Sequence, residues 1–155
     1  MSAQTWADIV VSAAMDRFAR MAVDASLAGR TFPPTDAYDV TEQAVADFAA
    51  ATGTPYAAGD PAPATFPIVV AFGAMQGLMV DPEVGIELHH VVHGQQKFVH
   101  ARPVVVGDRL TATLTVSGLR QIAGTDISTT SSAITDADGA LVCTADATLV
   151  HRAEA

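Results

Sequence analysis

Thr65 to Met79 reads TFPIVVAFGAMQGLM, fifteen residues with no charge and a single amide, Gln76. Apolar side chains cover every face of a helix drawn through it, the pattern of a buried helix rather than a surface one. The run is too short to cross a bilayer, which takes about 20 apolar residues. Thr65 is placed to cap the helix, and Pro67 fits a first turn, where a missing N–H costs nothing. Gly73 and Gly77 lie four apart on one face. Each costs about 1 kcal/mol against Ala inside a helix, so close packing against a neighbouring backbone is the expected compensation. The remaining chain has to supply what wraps this helix.

On the C-terminal side, everything reads as strand. Asp81-Pro82-Glu83 makes a turn, and Ile86 to His100 is one extended stretch with a bend expected at Gly94. Ala101-Arg102-Pro103 and Val106-Gly107-Asp108 break it. Leu110, Ala112, Leu114 and Val116 then alternate with Thr111, Thr113, Thr115 and Ser117, a period of two. Gly124 marks a turn, Thr125 to Thr135 is rich in Thr, Ser and Ile, and Asp138-Gly139 is a strong hairpin signal. Leu141, Cys143, Ala145, Ala147 and Leu149 alternate again. On the N-terminal side, residues 5–26 carry helical spacings (Trp6, Ile9, Val10, Ala13, Met15, Phe18), and 1–26 reads as a helical extension preceding a domain over 27–155. Gly29 to Asp39 is a loop, since Pro33-Pro34 cannot sit inside a helix. Thr41 caps a helix with Glu42 in its first turn, Val45, Phe48 and Ala49 on one face, and Gly53 at its end. Thr52 to Pro63 is irregular, from its Gly and Pro. Helix, loop, buried helix and four antiparallel strands give an α+β domain in which one antiparallel sheet wraps a central apolar helix, the hot-dog arrangement.

Composition narrows the function. The chain has 155 residues, half of them hydrophobic, which suits one domain with a full core. Eight Lys and Arg stand against 17 acids for a net charge of -9, which argues against nucleic-acid binding. The single cysteine, Cys143, excludes an internal disulfide and fits a reducing cytoplasm. The opening segment lacks the basic start and cleavage site of a secretory signal, so a cytoplasmic protein with no membrane partner is expected.

Four stretches together resemble the MaoC-like, or FAS1-like, dehydratase family: AGRTFPPTDAYDVTEQAVADFA (28–49), PAPATFPIVVAFGAM (61–75), VHGQQKFVHARPVVVGDRL (92–110) and GTDISTTSSAITDADGALVCTADATLV (124–150). In order and spacing they are most similar to substrate-binding subunits of the mycolic-acid-type (3R)-hydroxyacyl-carrier-protein dehydratases. The resemblance implies a hot-dog fold, pairing of two hot-dogs through a continuous sheet, and acyl thioester substrates on an acyl carrier protein or coenzyme A. It implies reversible dehydration of a 3-hydroxyacyl thioester to the trans-2-enoyl form, with no cofactor.

The departure from the family carries as much as the match. Catalytic members place an Asp, four residues and then a His in a GDxNPxH context before the central helix. One group handles the C2 proton and the other the C3 oxygen. Here Thr54 stands where the acid would be, no His follows, and the linker over 50–64 is shorter than the family's. Asp60 is followed five residues on by Thr65. The chain therefore resembles the non-catalytic partner, with the Asp/His pair expected from a second hot-dog subunit.

Remaining constellations define candidate contacts. His89, His90, His93 and His100 lie close in sequence, with 89 and 93 expected on one strand face and 90 and 100 on the other. With no cysteine and few carboxylates nearby, they are read as interface or acyl-site histidines, and no metal site is expected. His93 and Asp60 are the weak catalytic candidates. Thr65, Phe66, Val69, Phe72, Gly73, Met75, Gln76, His93 and Gln95 are candidates for lining the acyl site, with backbone donors at Ala64, Thr65 and Phe66 for a thioester carbonyl. Lys97, His100, Arg102 and Arg109 form the cationic cluster expected to meet a phosphopantetheine arm or an acidic carrier, with pairing to local acids such as Asp108 as the plainer role. Two rivals stay open: a self-sufficient hot-dog dehydratase, hydratase or isomerase with a non-standard residue set, and a non-enzymatic protein that binds acyl chains or carrier proteins.

Overall fold

The computed structural model describes residues 25–84, 90–122 and 125–152. The N-terminal helix, His89 and the Gly124 turn expected from the sequence lie outside them. The described elements are a 3-10 turn at Ala25–Leu27, β1 (Tyr38–Asp39), α1 (Glu42–Thr52), α2 (Ile68–Val80), β2 (Val91–His100), β3 (Arg109–Ile122), β4 (Thr125–Thr135) and β5 (Leu141–Arg152). The five strands form one curled sheet in the order β1-β3-β4-β5-β2, antiparallel throughout, with α2 packed over β3 and β4.

Local chemistry explains α1. Thr41 Oγ1 accepts from the Ala44 N–H at 3.2 Å, and Gly53 closes the helix at φ 66, the left-handed conformation Gly adopts at no steric cost. Val45 and Ala49 are buried and Phe48 packs against the core. The central helix begins later than its sequence suggests. Ala64 to Pro67 form a tight turn, in which Phe66 N–H donates to Pro63 O and Ile68 N–H to Thr65 O. Pro67 has no N–H to close an earlier helical turn, so α2 starts at Ile68 and Thr65 is not its cap.

Nor is α2 enclosed on every side. Val70, Ala71, Ala74, Met75, Leu78 and Met79 face the sheet and are buried. The opposite stripe carries Phe72, Gly73, Gln76, Gly77 and Val80 and is exposed, Val80 to 78%. The run is uniformly apolar because one side meets its own sheet and the other lies on the surface of this chain. The expected close backbone neighbour of the glycines is not found among the described residues: a Cβ on Gly73 would meet only the Thr35 methyl at 3.7 Å, and one on Gly77 would meet nothing within 4 Å.

The sheet also sets the strand order, which does not follow the chain. β2 and β3 are not a hairpin; the 101–108 connection carries the chain from one sheet edge across to β3, and β2 pairs with β5. The turn before Thr41 contains the short strand β1, paired Tyr38↔Leu110 and Asp39↔Arg109. The segment ahead of it lies along β3: Gly29 N–H donates to Val116 O, Phe32 N–H to Leu114 O and Thr35 N–H to Ala112 O. These bonds cover the β3 edge. Among the described residues nothing covers the outer edge of β2, a ten-residue strand with Val92 64% and Val99 50% exposed. A long open edge with exposed valines is a template for pairing with another strand.

Two bulges bend the sheet at one level, at Gly94 in β2 and between Val116 and Gly118 in β3. A Cβ on Gly118 would stand 2.9 Å from Thr129 Oγ1, which already bonds Ser117 Oγ at 3.1 Å. Gly118→Ala is expected to cost about 1–2 kcal/mol in urea unfolding. The same change in a Thr129→Ala background should recover most of the loss. Equal cost in both backgrounds would remove this contact as the cause.

Candidate functional site

The sheet and the turn before α2 meet at a cleft of about 290 Å³ lined by Ala62, Ala64, His100, Ala101, Arg102, Pro103 and Val104. His100, the last residue of β2, donates from Nε2 to Ala64 O at 2.9 Å. A carbonyl only accepts, so this bond sets the tautomer and leaves Nδ1 as an acceptor in the neutral ring. Ala62 N–H donates to Val104 O at 2.8 Å and ties the entry turn to the far wall. Of the three backbone donors expected for a thioester carbonyl, Phe66 N–H is spent on Pro63 O, while Ala64 and Thr65 are exposed at the turn.

Arg102 is committed elsewhere. Its guanidinium donates to Asp108 Oδ2 at 2.9 Å and Oδ1 at 3.0 Å, and to Asp136 Oδ2 at 3.1 Å. One positive and two negative charges leave this wall of the cleft net negative, so Arg102 joins the Gly107 turn to the β4–β5 turn more than it attracts a phosphate. Burial pushes the Asp108 carboxyl up, but the Arg102 and Val105 hydrogen bonds outweigh it and hold its pKa below the ordinary value. The Arg102 hydrogen bond lowers Asp136 likewise. Depressed folded-state values add stability above the usual carboxylate range near pH ~4, and that stability is lost as pH falls through the folded values. Asp108→Asn should flatten the acid limb of a Tm-versus-pH curve while the neutral limb shows only a uniform offset. An acid limb unchanged in shape would assign acid unfolding to other groups.

The other cations lie apart. Partners across a ladder share a face, so Lys97, opposite Asp146, and Gln95, opposite Thr148, are on the outer face of the sheet, by a second hollow of about 130 Å³. Arg109 is exposed, 3.7 Å from Asp39. The expected cationic cluster is thus three separate places, with His100 and Arg102 alone at the cleft. His93, opposite Leu149, and His100, opposite Cys143, both face inward, because the Gly94 bulge inserts one residue between them. Period-two counting had put 93 and 100 on opposite faces. His90 lies against His151, ring centres 6.3 Å apart.

The acyl-site candidates divide similarly. Phe66 is fully buried, edge-on to Phe48 at 5.3 Å and to Tyr38 at 6.3 Å. Met75 faces the sheet. Phe72, Gly73 and Gln76 lie on the outward stripe of α2, and Val69 is half-buried. Asp60 Oδ2 accepts from Ala57 N–H at 3.0 Å and closes its own turn. Tyr56 donates to Glu42 Oε1 at 2.7 Å, and that bond pushes its phenol up to about 12, so it stays protonated. Gly59, five residues beyond Thr54, has φ 92, a conformation L side chains rarely adopt. The linker is therefore shaped against a histidine at the family spacing.

Sequence reasoning missed an inward polar ladder on β4: Asp126, Ser128, Thr130 and Ser132, all buried. Asp126 faces His151 across the β4–β5 ladder, Oδ2 to Nδ1 at 3.4 Å. Counting outward from Asp138-Gly139 would have paired them to within one residue. No metal-sized cluster of His, Cys, Asp or Glu occurs among the described residues.

A sheet curled around one central helix, with a cleft at the helix N-terminus and one edge strand left open, defines a hot-dog domain of the dehydratase type. The chain belongs to the FAS1-like dehydratase domain family, whose model matches residues 26–145. Its relatives include a UPF0336 protein of Leifsonia xyli subsp. xyli, 41% identical over 145 residues, spanning 85% of this chain and 97% of that one. Another, from Streptomyces avermitilis, is 39% identical over 146 residues, spanning 86% and 97%. Among solved structures, a chain of the C-terminally truncated HadBC (3R-hydroxyacyl-ACP dehydratase) complex of Mycobacterium tuberculosis superposes with a TM-score of 0.69 at 27% identity, over 80% of this chain and 96% of that one. A MaoC-like dehydratase superposes at 0.67 with 25% identity, over 81% of this chain and 42% of that longer one. Among the described residues no helix is long and apolar enough to cross a membrane.

Proposed function

We propose that this chain is the acyl-thioester-binding, non-catalytic subunit of a heteromeric (3R)-hydroxyacyl-thioester dehydratase, acting on acyl carrier protein or coenzyme A esters. The observation that carries this reading is the linker between α1 and α2. It holds no histidine, its one carboxylate closes its own turn, and Gly59 sits at φ 92 where the second member of the acid–base pair would fall. The fold keeps what a binding subunit needs: the cleft at the head of α2, an apolar stripe on that helix and the open β2 edge.

A second hot-dog subunit carrying the Asp/His pair would join through β2 and bring its acid and base to this cleft. Val92→Lys with Val99→Lys puts two charges on exposed side chains of the edge strand and removes no backbone donor from the β2–β5 ladder. It should abolish co-purification with that partner while leaving this chain folded. Retained co-purification would move the interface elsewhere. Saturable acyl-CoA binding with no turnover beside any such partner would favour a purely binding protein.

A further inference from the structure

The inner face of a sheet that packs on a helix is expected to be apolar. β3 obeys, with Leu110, Ala112, Leu114 and Val116 buried, and so does most of β5, with Cys143, Ala145, Ala147 and Leu149. β4, between them, does not: Asp126, Ser128, Thr130 and Ser132 point inward and are each more than nine-tenths buried. Among the described residues, three buried polar atoms on this face have no hydrogen-bond partner: Thr130 Oγ1, Gln96 Oε1 and His151 Nε2. Native folds leave few such groups unmet, so each marks a place where water or a ligand can be held.

The ladder places them. Gln96 and Thr130 both oppose Ala147, so they share one rung on either side of β5. Their Cα atoms stand roughly 9.5 Å apart, two strand spacings, with only a methyl group between them. His100, at the cleft, is four residues along β2 from Gln96, roughly 13 Å. His151 lies four residues from Ala147 in the opposite direction along β5, roughly 13 Å beyond.

Hydrogen-bond chemistry then selects the ligand. The Gln96 amide nitrogen already donates to Asp146 O at 3.1 Å, and the atom left over is an oxygen that only accepts. His151 Nδ1 lies 3.4 Å from Asp126 Oδ2, which fixes the ring at the far end of this row. The Gln96 amide oxygen is met by a donor, and Thr130 Oγ1 on the same rung can accept or donate in turn. An alcohol O–H supplies one; a ketone or a methylene does not.

We propose that the acyl chain held by this protein carries a hydroxyl group that seats between Gln96 and Thr130, roughly 13 Å along the sheet from the cleft. It is distinct from the 3-hydroxyl that a dehydratase removes, which adjoins the thioester. The proposal rests on the acyl-binding reading and goes further by assigning the substrate class.

The test is calorimetric titration of the full chain with three sets of acyl-CoA esters: saturated, singly hydroxylated at successive carbons, and the matched oxo compounds. One hydroxyl position should bind about tenfold tighter than the saturated ester, and its oxo counterpart should show no such gain. Thr130→Val and Gln96→Leu should each erase the gain and leave saturated-ester affinity unchanged, while Thr130→Ser keeps it. Equal affinity for saturated and every hydroxylated ester overturns the proposal and leaves the acyl-binding reading standing. Failure of all esters to bind overturns both.

Discussion

Purified alone, the chain is expected to dehydrate a 3-hydroxyacyl thioester at no more than background rate. Added to a hot-dog subunit that carries the Asp-x4-His pair, it should yield a complex faster by about 10²–10⁴, the contribution of a positioned acid–base pair. The physical basis is local. Asp60 is held by Ala57 N–H, the Tyr56 phenol is held by Glu42, and the cleft's one imidazole, His100, donates to Ala64 O. None of these is poised to take a C2 proton while a second group handles the C3 oxygen. Grafting the pair as Thr54→Asp with Gly59→His should not restore activity, because Gly59 lies at φ 92 and a histidine there strains the turn. Substantial turnover by the isolated wild-type chain would sink the subunit reading. Loss of that turnover on His93→Ala would then point to a self-sufficient site.

Phe66→Ala is expected to produce the largest loss of stability of any single change considered. The ring is fully enclosed, with Phe48 and Tyr38 edge-on to it. Truncating a buried aromatic costs about 3–5 kcal/mol, against a total stability of about 5–15 kcal/mol for a domain. The melting temperature should fall by roughly 10 °C or more. Phe66 also sits in the turn that forms one side of the cleft, through Phe66 N–H to Pro63 O, so acyl binding should weaken with it. Phe66→Leu should recover part of the stability. A melting temperature within two or so degrees of wild type, on the scale of a surface substitution, would mean that the ring is not the keystone between α1, β1 and the α2 entry.

The elements were largely legible because their signals are local. Thr41 and Gly53 mark the ends of α1 by cap chemistry, Asp138-Gly139 marks the last hairpin, and the Leu/Thr alternation of β3 shows its inner face. The start of α2 was misread because Thr65 offers a cap while the missing N–H of Pro67 makes a tight turn preferable. Functional residues were harder to place. Lys97, His100, Arg102 and Arg109 are near in sequence, but the strand pleat and the 101–108 crossover scatter them: Lys97 to the outer face, His100 and the carboxylate-paired Arg102 to the cleft, and Arg109 to the β1 edge.

By itself the sequence determined that one apolar helix had to be wrapped by an antiparallel sheet, and that the acid–base pair was missing from the loop before it. Composition, period and the absence of a residue type are all properties of a linear chain. Tertiary structure alone decided which side of that helix was covered, which sheet edge stayed open, and which side chains met inside. One bulge at Gly94 reverses the facing of every residue beyond it. Asp126 and His151 become partners only through the ladder between β4 and β5. The buried polar row on β4 has the same alternation as an exposed one, and only the helix packed over the sheet distinguishes them.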